Sequence, residues 1–178
     1  GELIFLTASR AHHSEIGGIV PGSMPPFSKS LAEEGVLIRC FKFVDGGVAR
    51  EDELRQLLKA GEWPSRSVEN NISDVSAQVA ANSSGVRQLK SLVDRYSLSM
   101  VRACMKRIQQ AASQKMRMSL SGIADGVYSR VDYLDDGSPI SVRVSISGDS
   151  ASVDFTGTGP VLASNLNANK AIVTAAVM

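Results

Sequence analysis

The spacing of apolar residues changes character along the chain, and each change predicts a different kind of element. Glu2 to Thr7 and Val36 to Val44 are short, dense in apolar residues and bounded by turn formers, so each predicts a buried strand. Asp45-Gly46-Gly47 ends the second as a turn. From Arg50 the period lengthens. Leu54, Leu57 and Leu58 form the stripe of a short helix over 50–60, stopped by Gly61. Val68, Ile72, Val75, Val79 and Val86 recur at helical spacing over 68–93, with a break expected near Ser83-Ser84-Gly85. Val101, Met105, Ile108, Ala112 and Met116 give the buried side of a further helix over 98–120. Its other face carries Arg102, Lys106, Arg107, Lys115 and Arg117.

Beyond Gly122 the period falls to two. Residues 127–133, 140–146 and 152–155 alternate apolar with polar, separated by Asp135-Asp136-Gly137 and Ser147-Gly148-Asp149. That pattern predicts an antiparallel meander. Thr156-Gly157-Thr158-Gly159-Pro160 reads as a glycine turn, since it lacks the Gly-Lys-Ser/Thr ending of a phosphate loop. A last helix is expected from about Leu166. N-terminal strands, a helical block over about 50–121, a β meander over about 126–156 and a terminal helix together define an α+β chain.

Composition narrows the class. A length of 178 residues suits one domain, and 43% hydrophobic with 21% charged residues is ordinary for a soluble globular protein. Nineteen basic against eighteen acidic residues leave a net charge of +1, which gives no electrostatic case for nucleic acid or an anionic membrane. The longest apolar run, Ala171 to Met178, is far short of the ~20 residues that span a bilayer. No signal peptide is visible, so a cytoplasmic location is expected. Cys40 and Cys104 sit in apolar surroundings without a Cys-x-x-Cys pattern, which reads as buried free thiols in a reducing compartment. The chain opens without Met in a strand-like run and stops inside an apolar helical pattern, so it is expected to be an internal piece of a longer polypeptide, truncated at both ends.

The candidate chemistry concentrates in one loop. The chain has two histidines, adjacent in Ser9-Arg10-Ala11-His12-His13-Ser14-Glu15, directly after the first predicted strand. Ends of core strands are where rigid scaffolds present reactive groups. Two imidazoles and a carboxylate within four residues can supply two or three ligands to a divalent metal such as zinc, manganese or iron, or serve as acid and base. The alternative is a solvated polar loop. With no third histidine, further ligands must be Asp, Glu or residues outside the segment. A second candidate is the stripe Asn70, Asp74, Gln78, Asn82, spaced four apart on the 68–93 helix. Asn and Asp are poor helix-interior residues, so such a stripe either lines a polar pocket or is a solvated face. Glu33-Glu34-Gly35 reads as a solvated helix end. In Asn165-Leu166-Asn167 the amides either cap the last helix or face a ligand.

Several strings together resemble the hydantoinase B / 5-oxoprolinase family. They are Ala8 to Gly18, Pro21 to Pro26, Glu33-Glu34-Gly35, Asn70 to Asp74, Ala77 to Asn82, Asp135 to Ser138, Asp154 to Pro160 and Asn165 to Ala168. Their order and spacing match over essentially the whole chain. The resemblance implies a partial hydantoinase B-type domain over 1–178, part of an ATP-dependent cyclic amide hydrolase. An A-type domain or subunit would bind ATP and phosphorylate the lactam oxygen, and the B-type half would hydrolyse the activated ring. The implied reaction converts 5-oxo-L-proline, ATP and water to L-glutamate, ADP and phosphate, a step of glutathione metabolism. Hydantoinase or N-methylhydantoinase activity, an acetone or acetophenone carboxylase-type subunit, and a non-catalytic assembly module are the alternatives. A planar amide resists water through its resonance, and phosphorylating the oxygen removes that resistance.

The same resemblance implies the site. Arg10, His12, His13 and Glu15 would be catalytic. His12, His13 and Glu15 would hold a divalent metal (Mg, Mn or Zn) with ligands from outside this segment, and metal-bound water has a lowered pKa. Asp74, Gln78, Asn82 and Asn167 would contact substrate. Glu15 departs from the family, which has Asp there, and the extra methylene moves the carboxylate. A homo-oligomer is expected, with no nucleic acid and no membrane as partner.

Overall fold

The structure, a computed structural model, describes residues 2–178. Its contacts divide the chain into two compact units. One contains the residues up to Ser91 with Leu162–Asn167, and the other contains Leu92–Val161 with Ala168–Met178.

In the first unit, α1 (Leu31–Glu34), β1 (Val44–Asp45), β2 (Val48–Ala49) and α2 (Glu51–Leu58) precede the long helix α3 (Val68–Tyr96), which begins there. The stripe of α2 is buried as its pattern requires: Leu54 and Leu58 are 2% and 1% exposed and meet Ile72 of α3. Ile16, Ile38, Phe41, Phe43, Val68 and Val75 pack around these three. Each buried leucine contributes roughly 1.5–3 kcal/mol relative to leaving it in water. Glu51, Asp52 and Glu53 fill the first turn of α2, where the helix dipole favours negative charge. The Arg55 guanidinium forks onto both oxygens of Glu69 at 2.8 and 3.0 Å, tying α2 to the start of α3.

Two expected strands are replaced by irregular backbone. Residues 2–7 form no strand, and Leu3 and Leu6 are exposed. Of the run 36–44 only Val44 enters a ladder: Val44–Asp45 pairs with Val48–Ala49 around Gly46-Gly47. A strand needs a neighbour that pairs its N–H and C=O groups in register, and outside Val44 the described run 36–44 makes only isolated main-chain bonds, Val36 N–H to Ile16 O at 2.9 Å and Arg50 N–H to Phe43 O at 2.8 Å. The burial pattern survives without the ladder, since Ile38, Phe41 and Phe43 still reach the core. The break expected near Gly85 does not occur, and α3 is continuous. Gly85 lies against Thr7, whose methyl would be 3.2 Å from a Cβ at position 85, so this glycine allows close packing instead of ending the helix. Thr7 also donates from Oγ1 to the Asn82 carbonyl at 3.2 Å.

In the second unit, α4 (Leu98–Ser121) follows Ser97, whose hydroxyl caps it by accepting from the Met100 N–H at 3.4 Å. The meander forms as the alternation predicts. β3 (Gly126–Tyr133), β4 (Pro139–Ser147) and β5 (Ser150–Asp154) pair antiparallel in chain order. The Gly148-Asp149 turn is held by the Asp125 carboxylate, which accepts from Gly148 N–H at 2.8 Å. The glycine turn after β5 clasps β4: Gly159 N–H donates to Pro139 O at 2.8 Å, and Thr158 Oγ1 both accepts from Ser141 N–H and donates to Ser141 O at 3.1 Å. The last helix, α5 (Lys170–Val177), starts later than expected and is capped by Asn169, which accepts from Ile172 N–H at 3.1 Å.

Two burial expectations are corrected. On α4 only Val101 is buried, whereas Met105, Ile108 and Met116 are 39%, 70% and 54% exposed. The amphipathic pattern is real, but no described element covers that stripe beyond its first turn. Cys40 and Cys104 are free and both exposed. Cys40 sits in irregular backbone at φ +45° instead of in a strand, and Cys104 lies on the uncovered α4. No described helix is long and apolar enough to cross a membrane.

Candidate functional site

The histidine loop is fixed by the segment immediately C-terminal to it. Ile16-Gly17-Gly18 threads between two other backbone segments. Gly18 N–H donates to Trp63 O at 3.1 Å, Ile19 N–H to Glu33 O at 2.9 Å, and Val36 N–H to Ile16 O at 2.9 Å. Gly17 has φ +91°, and a Cβ there would lie 2.2 Å from Trp63 O, so no side chain fits. The Arg66 guanidinium donates to Gly18 O at 2.6 Å from the other side.

Glu15 is 8% exposed and its carboxylate gathers five donors. Oε1 accepts from Ser65 Oγ at 2.7 Å, Ser67 N–H at 2.9 Å and Asn71 Nδ2 at 3.2 Å. Oε2 accepts from Gly17 N–H at 2.7 Å and Arg66 N–H at 3.0 Å. Burial alone would raise the pKa. The Arg66 N–H, the Ser65 hydroxyl and the N–H groups of Ser67 and Gly17 together outweigh burial and lower it from 4.5 to about 2. The buried carboxylate is therefore ionised and sits just ahead of the N-terminus of α3, where negative charge is favoured.

Asn71, in the first turn of α3 and 2% exposed, links Glu15 to His13. Its Nδ2 donates to the Glu15 carbonyl at 3.0 Å, to Glu15 Oε1 and to Ser65 Oγ at 2.9 Å. With the amide nitrogen facing these acceptors, Oδ1 faces His13 Nδ1 at 2.7 Å. An amide oxygen only accepts, so the network assigns the proton to His13 Nδ1. Asp74 Oδ2 lies 3.5 Å from the same nitrogen, a carboxylate beside the Asn71 amide on that side of the ring. The His13 side chain is 24% exposed. With Nδ1 protonated, the neutral ring carries its lone pair on Nε2.

The other candidates are placed differently. His12 is exposed, and its Nε2 meets Ser23 Oγ at 2.8 Å. Arg10 is exposed. Of the α3 stripe, Asp74 reaches His13, Gln78 is half-buried, and Asn82 meets Thr7 only through its main-chain carbonyl. Asn167 closes its own loop: Oδ1 accepts from Leu162 N–H at 2.9 Å, and Nδ2 donates to Leu162 O at 2.9 Å and Ser164 O at 2.7 Å. Asn165 donates to Pro25 O and Pro26 O, at 3.3 Å in each case.

Ser65 and Asn71 were not among the residues picked out by pattern. The signal for Asn71 was available: it lies three residues after Val68 and four before Val75, on the apolar face of α3. A polar residue there must be buried with partners.

The donor set meets the needs of a divalent metal only in part. His13 fits, because a ligating imidazole characteristically gives its other N–H to a protein acceptor and offers the remaining lone pair. Glu15 does not fit as arranged here: a carboxylate has about four lone-pair positions and five donors already converge on it. Among the described residues no group of three or more His, Cys, Asp or Glu is close enough to hold a metal.

A structured tandem-histidine loop on this α+β scaffold has recognisable relatives, and the sequence profile of the hydantoinase B/oxoprolinase family matches residues 1–178. The chain belongs to that family. It is 41% identical over 205 aligned residues to 5-oxoprolinase 1 of Arabidopsis thaliana and 40% identical over 190 to 5-oxoprolinase of Saccharomyces cerevisiae. Each match takes in the whole chain, which spans 16% and 15% of those proteins. The crystal structure of the ATP-dependent caprolactamase from Pseudomonas jessenii superposes with a TM-score of 0.66 at 36% identity, over 78% of this chain and 24% of that one.

Proposed function

We propose that this chain is a segment of the B-type half of an ATP-dependent cyclic amide hydrolase acting on 5-oxo-L-proline, and that its histidine loop faces the activated ring. The observation that carries this reading is the fixed His13 imidazole, with Nδ1–H held by Asn71 and beside Asp74 and with Nε2 left to act. The relatives support the class: some are named for 5-oxoproline, another for caprolactam, and both substrates are cyclic amides.

In this reading an A-type domain or subunit binds ATP and phosphorylates the lactam oxygen. The resulting imidate carbon is no longer protected by amide resonance: water adds to it as the C=N electrons take a proton at nitrogen, the C–N bond then breaks to free the amine and leave an acyl phosphate, and a second water cleaves that to the carboxylate and phosphate. His13 Nε2 receives a proton from the first water, the ring being held through Nδ1 by Asn71. Arg10 and His12, both exposed, would contact the phosphorylated substrate, as would Gln78 further along α3. The single Nε2 lone pair serves one role at a time, so in a second form of this reading His13 would be this segment's ligand to a divalent metal completed by residues elsewhere in the protein, in place of the base. Bound there, a metal would supply Lewis acidity and lower the pKa of water. Glu15 acts as the anchor of the loop and of α3 rather than as a ligand.

The test is 5-oxoproline-dependent ATP hydrolysis with glutamate release by the full-length protein. His13→Gln is expected to lower kcat by about 100-fold or more, the low end for a general base. A His12→Ala, His13→Ala double variant that turns over 5-oxoproline at the wild-type rate would refute the assignment. Faster turnover of caprolactam or a hydantoin than of 5-oxoproline would overturn the substrate. The same reading expects a homo-oligomer in the cytoplasm, measurable by light scattering and fractionation.

A further inference from the structure

We propose that Asn71 is a positioning residue that locks His13 in the tautomer protonated at Nδ1, reserving the Nε2 lone pair for the reacting centre. The inference rests on the reading of His13 as an active-site residue. It is carried by geometry. Asn71 is 2% exposed and engaged at both ends of its amide. Its orientation cannot invert cheaply. A flip would set Oδ1 against three oxygens, the Glu15 carbonyl at 3.0 Å, Glu15 Oε1 at 3.2 Å and Ser65 Oγ at 2.9 Å. Of these only the serine hydroxyl has a proton to offer, and that proton already goes to Glu15 Oε1 at 2.7 Å. The flip would also aim an NH2 at the His13 Nδ1–H. The anchored Glu15 therefore fixes the amide, and the amide fixes the ring.

The residue type follows from the two tasks. A serine lacks the reach to bridge both partners. An aspartate accepts from His13 but donates nothing to Glu15. A leucine of similar size does neither. Asp74 at 3.5 Å from Nδ1 favours the same tautomer but is half exposed and less firmly held. In water the neutral ring has only a small preference between tautomers, so one buried acceptor at 2.7 Å is enough to decide it.

The deciding experiment is NMR of the full-length protein labelled with [15N]histidine, the His13 signals being identified by their loss in His13→Gln. The wild type is expected to show a protonated, pyrrole-type Nδ1 and a pyridine-type Nε2. Asn71→Leu is expected to shift His13 toward the Nε2–H form by about tenfold in population, the worth of one hydrogen bond. A wild-type ring protonated on Nε2, or a tautomer unchanged in Asn71→Leu, would overturn the proposal.

Turnover separates positioning from mere support of the fold. Asn71→Asp keeps an oxygen toward Nδ1 but loses every donation to Glu15. It is expected to keep the wild-type tautomer and a kcat within about tenfold of wild type despite a lower Tm, while Asn71→Leu loses about 10–100-fold. If kcat instead tracks Tm across the two variants, Asn71 is structural and the proposal fails. Absence of 5-oxoproline-dependent ATP hydrolysis in the wild type would sink the functional reading alone, since the NMR result still decides the role of Asn71.

Discussion

Removing the charge of Glu15 is the most informative perturbation this structure offers. Its carboxylate pKa falls from 4.5 in an exposed setting to about 2 in the fold. At about 1.4 kcal/mol per tenfold change in binding, that depression corresponds to about 3 kcal/mol favouring the ionised native state. The sign is set by proton uptake. As pH falls, the unfolded chain takes up the proton first, near 4.5, while the native carboxylate resists until about 2. The contribution is therefore fully present above about pH 4.5 and is lost as pH falls toward about 2. Exposed carboxylates such as Glu53 and Glu69 also have lowered pKa values, each through its arginine partner, so total acid sensitivity does not isolate Glu15.

The Glu15→Gln comparison does isolate it. Glutamine is isosteric but turns an NH2 toward at least one existing donor, leaving a buried N–H unpaired. The reporter is local: hydrogen exchange of the peptide amides of Gly17, Arg66 and Ser67, all of which donate to this carboxylate. At pH 7 the full-length Glu15→Gln protein is expected to lose about 100-fold protection or more at these amides, from the same about 3 kcal/mol. The difference from wild type should shrink as pH falls below about 4. Equal protection at pH 7, or a difference that does not change between about pH 4.5 and about 2, would show that the carboxylate is not the anchor described.

Other consequences arise from the same packing. Leu58→Ala empties the best-buried position of the core and is expected to cost about 2–5 kcal/mol, read as a fall in the urea midpoint with unchanged slope. Gly17→Ala places a methyl 2.2 Å from Trp63 O at φ +91°, and is expected to cost more than about 2 kcal/mol and to expose the histidine loop to limited proteolysis. Asn167→Ala removes the clasp of its own loop, so trypsin or subtilisin should cut within 162–167 faster, with kcat for 5-oxoproline unchanged. A kcat loss there would support Asn167 as a substrate contact.

The legible and illegible parts of this chain differ for physical reasons. The meander was readable because alternation, turn residues and pairing all lie within about 30 consecutive residues, so each strand finds its partner next to it in sequence. The helices were readable for the same local reason. The runs at 2–7 and 36–44 carry strand-like composition, yet composition cannot create a ladder partner, and at 2–7 burial does not follow either, since Leu3 and Leu6 are exposed. The α4 stripe shows the converse, a helical pattern correctly periodic but largely uncovered by the described residues. At the site, residue type and adjacency singled out His12, His13 and Glu15, but not the division of roles among them. That division depends on contacts across 50 or more residues, such as Ser65 with Glu15 and Asn71 with His13. Such pairings leave no periodic trace.

The tandem histidines are therefore unequal, and the reason lies in the neighbouring carboxylate. A lone imidazole on a solvated loop samples both tautomers and many rotamers, as the exposed His12 with its single serine partner is free to do. His13 is denied that freedom by a chain of constraints. The glycine pair admits the loop between two backbones, and Glu15 then gathers the N–H groups ahead of α3. That concentration of negative charge orients Asn71, and Asn71 orients the ring. Glu15 thus acts on the site through the groups it holds: Gly17, Ser65, Arg66, Ser67 and Asn71. An acid that only bound metal would need free lone pairs, whereas an anchor needs them all occupied, and here they are occupied.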